Sequence, residues 1–356
     1  MKAPIFLSQA SIAAAAIGLL IAFVSTPVSA AQIAATVEYE PIQTPTASTM
    51  PASARWAMKD MHPLEGATLS YLSIKAIDGF KVIGALWKPE GKSPADTTMI
   101  ISVHGSGNNF TSSATRAVGR NLSPKGYAVL AINTRQSGPN AINRDNFYDI
   151  SLDIDAAVQT AKAMGYRRFA IHGQSLGNIQ VQYYAATHWD PAIKGVILSG
   201  TFGNLPWKSH YLLVQNEDDY RALRDAAHQA LKAGRAAEEM PLEMKYLGSR
   251  GSKVSAQHFL TYRDDLSGGA DGTYWIRRIP DPIIVLRSQS DTVVNEFEPY
   301  MLVGAARADG SVVPDVEFHL IPDAQHPNGD PGGHEFTYNS DAFTDAILKW
   351  LENKKL

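Results

Sequence analysis

The sequence predicts an α/β fold, with a mostly parallel central sheet, helices on both faces and a helical cap inserted after the fourth of its inner strands. Three observations carry that expectation. Short β-branched apolar runs alternate with segments of helical periodicity, the central runs lack the polar alternation of a half-solvated strand, and one interval of about 80 residues breaks the rhythm.

In chain order the N-terminus comes first. After Lys2 the stretch SIAAAAIGLLIAFV is uncharged and apolar, and TPVSA closes it with small residues at Val28 and Ala30. That pattern predicts a cleaved signal peptide over residues 1–30 and a secreted or periplasmic mature chain. A retained anchor is the competing expectation, but the run falls short of the roughly 20 residues a span needs. No stable membrane anchor is therefore expected after cleavage. Residues 31–63, rich in Thr, Pro and Ala and without periodicity, read as a linker or extended arm.

Residues 64–356 are the expected folded domain. LSYLSIK and FKVIGALW, joined by the turn AIDG, predict an antiparallel hairpin at one edge. TTMIISV then reads as a strand buried on both faces. YAVLAIN, RFAIH, GVILSG, IIVLRS and VEFHLI follow as further strands. Between them, Ile150, Ile154, Ala157, Val158 and Ala161 share one helical face, as do Phe343, Ala346, Ile347, Trp350 and Leu351 near the C-terminus. Residues 201–280 interrupt the alternation with the helical stretch DDYRALRDAAHQALKAGRA and Gly-rich polar sequence, and predict a mainly helical cap. Its aromatic residues Trp207, Tyr211, Tyr262, Tyr274 and Trp275 are expected to form the cap's own core, with an acyl or aryl pocket as the alternative.

Composition narrows the function. The 356 residues carry a net charge of -3, 45% hydrophobic residues and no cysteine, which suits a large core folded without disulfides. With no lysine or arginine run there is no footprint for nucleic acid or an anionic membrane, so a small-molecule partner is expected. Oligomeric state is not legible.

The sharpest chemical signal is RFAIHGQSLGNIQ. Gly173-Gln174-Ser175-Leu176-Gly177 is a G-x-S-x-G motif that directly follows an apolar strand and opens a helical pattern. Small residues two before and two after the serine let strand and helix approach, so a strained turn presents the hydroxyl beside a helix N-terminus. In this context the chain resembles the α/β-hydrolase family over roughly residues 69–356.

That resemblance implies an α/β-hydrolase fold and a Ser-then-acid-then-His order, each member following a strand. Ser175 would be the nucleophile. HGSGNNF after the third sheet strand would supply an oxyanion hole from the N–H of Ser106, alongside the N–H of Leu176. His104 would brace that loop, and Arg135 in NTRQSG is expected to brace the next one. Asp291, three residues beyond the strand IIVLRS, takes the acid position. Asp281 stands before that strand, at the wrong end of the sheet.

The base falls in DAQHPNGDPGGHEFT, which contains two histidines. His326 is favoured, because a position tied to the strand end is held more tightly than one beyond a Gly- and Pro-rich stretch. His334 is the alternate base, since HEFT resembles the family's approach to the last helix. His319 lies within the strand and is expected to be surface or packing. A metal site from Asp323, His326, Asp330 and His334 is disfavoured because the spacing matches no zinc pattern, so no metal or cofactor is expected. The resemblance implies a serine hydrolase of a carboxylic ester or lactone. Amide or peptide cleavage and a non-catalytic binding protein on the same fold stay open as alternatives.

Overall fold

The computed structural model describes residues 37–45, 60–138, 144–214, 216–244, 252–323 and 333–356. The expected signal peptide and the start of the expected arm lie outside the described residues. No helix among the described residues is long and apolar enough to cross a membrane.

The strands, in chain order, are β1 (Tyr39–Ile42), β2 (Ala67–Lys75), β3 (Lys81–Pro89), β4 (Thr98–Val103), β5 (Ala128–Asn133), β6 (Arg168–Gln174), β7 (Ile193–Ser199), β8 (Glu239–Met244), β9 (Ser252–Ser255), β10 (Ile283–Ser288) and β11 (Val316–Ile321). All but β8 and β9 join one sheet in the order β1-β2-β3-β5-β4-β6-β7-β10-β11. The first three strands and the β3–β5 pair are antiparallel, and every pair from β5 to β11 is parallel. Parallel neighbours need crossovers, and α1 (Ser113–Leu122), α2 (Ile150–Ala163) and α3 (Leu176–His188) supply three of them.

Alternate residues of one strand feed two separate cores. Ile101, Ile171 and Val285 pack with Ile154 and Val158 of α2 and with Val181 and Tyr184 of α3. Their neighbours Ile100, Ala170 and Ile284 pack instead with Val118 of α1 and with Ile347 and Trp350 of the last helix, Ser340–Asn353. Both β4 and β10 are buried along their whole length, and burial of both faces is why their apolar runs MII and IIVL do not alternate with polar residues.

Two regions depart from the sequence reading. Tyr39–Ile42, within the expected linker or extended arm, pairs antiparallel with Tyr71–Ile74 and extends the sheet at its edge. Short, exposed and holding Pro41, it carries little of a strand's usual signal. Within residues 201–280, helices such as Glu217–Lys232 share the space with an antiparallel ribbon, β8–β9. The region has its own core, in which Val214, Tyr220, Leu223 and Phe259 are buried together with Met240 and Val254 of the ribbon. Of the cap aromatics, Tyr262 is fully buried, whereas Tyr211 and Tyr274 are about half exposed.

Candidate active site

Ser175 sits in the turn between β6 and α3 with φ 53° and ψ -122°, a left-handed backbone that a residue with a β-carbon adopts only under strain. Close packing forces that turn. A β-carbon on Gly173 would lie 2.3 Å from the carbonyl oxygen of Gly177, and one on Gly177 would lie 2.7 Å from the carbonyl oxygens of Val103 and His104. Both motif glycines are therefore required by backbone approaching backbone. The Ser175 N–H donates to the Ser199 carbonyl at 2.9 Å, and Asn178 Nδ2 donates to the carbonyls of Ser175 and Ser199 at 2.9 and 2.6 Å.

Asp291 follows β10 and is buried. Its Oδ1 accepts from the backbone N–H groups of Val293 and Val294, at 2.8 and 3.0 Å. Burial alone would raise its pKa, but the hydrogen bond and charge of His334 and those two N–H groups outweigh it and hold the carboxyl below the usual range. Arg287, on β10, clasps the same loop by donating to the carbonyls of Ser288, Asp291 and Val294.

The imidazole between these two groups is that of His334. Its Nδ1 is 2.9 Å from Asp291 Oδ2 and its Nε2 is 2.8 Å from Ser175 Oγ. An ionised Asp291 only accepts, so Nδ1 carries the proton and Nε2 faces the serine hydroxyl as an acceptor. Of the two histidines offered for the base, the ring that lies between Ser175 and Asp291 is that of His334, the alternate, rather than the favoured His326, which lies outside the described residues. The physical reason is that the loop is pinned from its far side. Gly333 packs so tightly on Ser290 and Asp291 that a β-carbon would lie 2.9 Å from the Asp291 nitrogen. Gln174 Nε2 donates to the His334 carbonyl at 3.2 Å, and Phe336 is fully buried and stacked on Phe343 of the last helix at 4.2 Å. Attachment to strand β11 is not what positions the ring.

Parallel register sets the loop after β4, the expected oxyanion loop, beside Ser175, because Val103 of β4 pairs with Gly173 of β6. A β-carbon on Gly105 would lie 2.8 Å from Ser175 Cβ and 3.4 Å from its Oγ. Among the described residues, neither the Ser106 nor the Leu176 N–H is engaged by a turn or loop carbonyl. His104 is buried, takes the Thr134 N–H on Nε2 at 3.2 Å and donates from Nδ1 to the Gly105 carbonyl at 2.7 Å. Burial pushes its pKa down to about 4, so it braces the loop as a neutral ring.

Arg135 is engaged by carboxylates of the scaffold. Its guanidinium pairs with the fully buried Asp153 at 2.7 Å and with Asp78 at 2.9 Å. His319 is part-exposed and pairs with Glu317 at 3.1 Å. Asp323 accepts the Ser290 N–H at 2.9 Å, and no group of three His, Asp or Glu residues arranged for a metal exists among the described residues. Asp330 lies outside them.

Several contacts around Ser175 and His334 were not part of the sequence reading. Phe202 lies 6.2 Å from the His334 ring, centroid to centroid. Asn108 Nδ2 donates to Glu335 at 2.8 Å, linking the oxyanion loop to the histidine loop. Ser106 Oγ, Gln174 Oε1 and Glu335 Oε2 are buried without a protein partner. Of these three, Ser106 and Gln174 stand in motifs that the sequence reading quoted, and for Glu335 the available signal was its place directly after His334.

Known proteins place this arrangement in context. The protein Est1E from Butyrivibrio proteoclasticus with ferulic acid bound is similar in fold, at 17% identity over 78% of this chain and 96% of that chain, with a TM-score of 0.56. So is the esterase domain of a Rhodothermus marinus protein, at 18% identity over 80% of this chain and 98% of that chain, with a TM-score of 0.52. An esterase from Pyrococcus furiosus gives 17% identity over 88% of this chain and 97% of that chain, with a TM-score of 0.54. None of the curated proteins matches the sequence. The family model described as alpha/beta hydrolase fold matches residues 98–331, most of the sheet together with the nucleophile motif, and the chain belongs to that family.

Proposed function

We propose that the protein is a serine hydrolase that cleaves a carboxylic ester or lactone through an acyl-enzyme. The observation that carries this reading is the continuous chain Ser175 Oγ, His334 Nε2, His334 Nδ1 and Asp291 Oδ2, with links of 2.8 and 2.9 Å. His334 takes the serine proton as Oγ attacks the acyl carbon. Asp291 holds the ring's tautomer and balances the imidazolium, and the N–H groups of Ser106 and Leu176 receive the charge that develops on the carbonyl oxygen. His334 then protonates the leaving alcohol, and water hydrolyses the acyl-enzyme by the same path in reverse. No metal or cofactor takes part in these steps.

The ester preference is supported by the esterases among its structural relatives. Amide hydrolysis on the same residues is the second reading, and the same screen separates them. Fluorophosphonate labelling followed by a panel of esters, lactones and aminoacyl amides is run on wild type, Ser175→Ala, His326→Ala and His334→Ala. Ser175→Ala and His334→Ala are expected to lose several orders of magnitude in turnover, with His326→Ala close to wild type. Absence of both turnover and an adduct on Ser175 favours a binding protein over the hydrolase reading, whereas equal turnover by Ser175→Ala removes Ser175 from the mechanism. We also propose that residues 1–30 are a signal peptide and that the mature chain is secreted or periplasmic, which N-terminal sequencing of the exported protein tests.

A further inference from the structure

Glu335 follows the histidine directly in sequence and is not used by the mechanism above. Its carboxyl group is buried near the backbone of Ala114, in the first turn of α1, with Oε1 accepting from Asn108 Nδ2 at 2.8 Å. Oε2 is buried and meets no partner among the described residues. Asn108 itself closes the oxyanion turn through its N–H to the Gly105 carbonyl at 3.2 Å, and its own carbonyl receives the Gly138 N–H at 3.1 Å. One carboxyl therefore joins the loop holding His334 to the loop holding the Ser106 N–H.

Tethering alone does not explain a carboxylate. A glutamine would accept the same Asn108 hydrogen bond without the desolvation cost of a buried charge. What glutamine lacks is negative charge beside a ring that becomes cationic when Ser175 attacks. The ionisable groups facing Glu335 are His334 on its own loop, Asp291 beyond β10 and Arg116 on α1. Arg116 is shared with Asp60, 3.8 Å away. Burial pushes Glu335 up, the His334 charge, the Asn108 bond and Ala114 pull it down, and Asp291 adds to the rise, leaving it above the usual carboxylate range.

We propose that Glu335 is a positioning residue whose carboxylate locks the oxyanion loop to the histidine loop and supports the imidazolium of His334 during acyl transfer. The inference rests on the reading of His334 as the base. It makes the histidine's electrostatic partners two, Asp291 on Nδ1 and Glu335 from the adjacent peptide.

The test is the pH profile of kcat/KM for a neutral p-nitrophenyl ester in wild type, Glu335→Gln and Asn108→Ala. Glu335→Gln keeps the tether and deletes the charge. Its acid limb is expected to move to lower pH by roughly half to one unit, and its plateau kcat to fall by the matching factor of about three to ten, with KM unchanged. Asn108→Ala keeps the charge and cuts the tether, so its kcat falls while the acid limb stays in place. If Glu335→Gln does not fold, Glu335→Asp, which keeps the charge on a shorter arm, is compared with Asn108→Ala, and both are expected to hold the wild-type limb. A Glu335→Gln limb superimposable on wild type, or a Glu335→Asp limb displaced from it, overturns the proposal. Wild type that neither turns over the ester nor takes a fluorophosphonate overturns the hydrolase reading, and this inference with it.

Discussion

Adding one methyl group at Gly105 tests how closely the oxyanion loop is fitted to the nucleophile. In Gly105→Ala the new carbon would sit 2.5 Å from Gln174 Oε1 and 2.8 Å from Ser175 Cβ. The second distance falls roughly 0.6 Å short of ordinary carbon–carbon contact. Neither neighbour yields easily: Gln174 Nε2 is engaged by the His334 carbonyl, and Ser175 is held in its strained turn by Asn178. The loop carrying the Ser106 N–H must move instead. A misplacement of about 1 Å costs on the order of a hundredfold, and complete loss of one oxyanion donor costs about 3 kcal/mol, so kcat should fall about 30- to 100-fold with KM little changed. Overpacking should also cost about 1–3 kcal/mol of stability. Steady-state hydrolysis of a p-nitrophenyl ester and urea unfolding are measured on the same preparations. Gly304→Ala is the control, because a β-carbon there meets nothing within 4 Å and the site lies in the helix Glu298–Arg307. It should leave turnover intact and add up to about 1 kcal/mol of stability. A Gly105→Ala enzyme with kcat within threefold of wild type would refute the fit described for this loop.

Two further expectations concern the scaffold. Arg135→Ala leaves Asp153 buried and unpaired, so unfolding stability should drop by about 3–5 kcal/mol while KM stays put; a large KM rise without a stability loss would instead assign Arg135 to substrate. His104 and His172 are fully buried, and burial pushes them down to about 4 and about 3. Their folded values lie below the unfolded value near 6.5, so the unfolded chain takes up protons first as pH falls. Stability from these rings is complete above about pH 6.5 and is lost toward acid, by about 2 kcal/mol each at pH 5. Imidazole nitrogen shifts in the folded protein at pH 5 should show both rings neutral, and a protonated ring at either position would contradict the depression of its pKa by burial.

Much of the molecule was legible from short stretches of sequence because the constraints are local. TMIISV and IIVLRS can only be strands covered on both faces, and the spacing of Gly173, Ser175 and Gly177 is forced by a turn in which backbone meets backbone. The positions of Ser175 and Asp291 follow from such runs, since each lies at the end of a strand whose direction the crossovers dictate. Tyr39–Ile42 was not legible, because a four-residue edge strand containing Pro41 is stabilised by the neighbour it finds. The ribbon Glu239–Met244 and Ser252–Ser255 is similar, as its burial depends on a cap core made by distant helices.

By itself, then, the sequence determined the α/β layering, the strained serine turn and the two loops that flank it, all of which are written in windows of about ten residues where periodicity and steric demand act directly. Only the tertiary structure decided which histidine meets Ser175. The candidates His326 and His334 share one loop, and the local cues within it, nearness to the strand end for one and HEFT for the other, point in opposite directions. The choice is made by contacts far away in the chain: Gly333 seated against Ser290 and Asp291, Gln174 holding the His334 carbonyl, Asn108 holding Glu335, and Phe336 stacked on Phe343. A side chain placed by non-local packing leaves no periodic trace in its own neighbourhood, and for that reason the places of His334 and Glu335 follow only from the packing of residues 333–336.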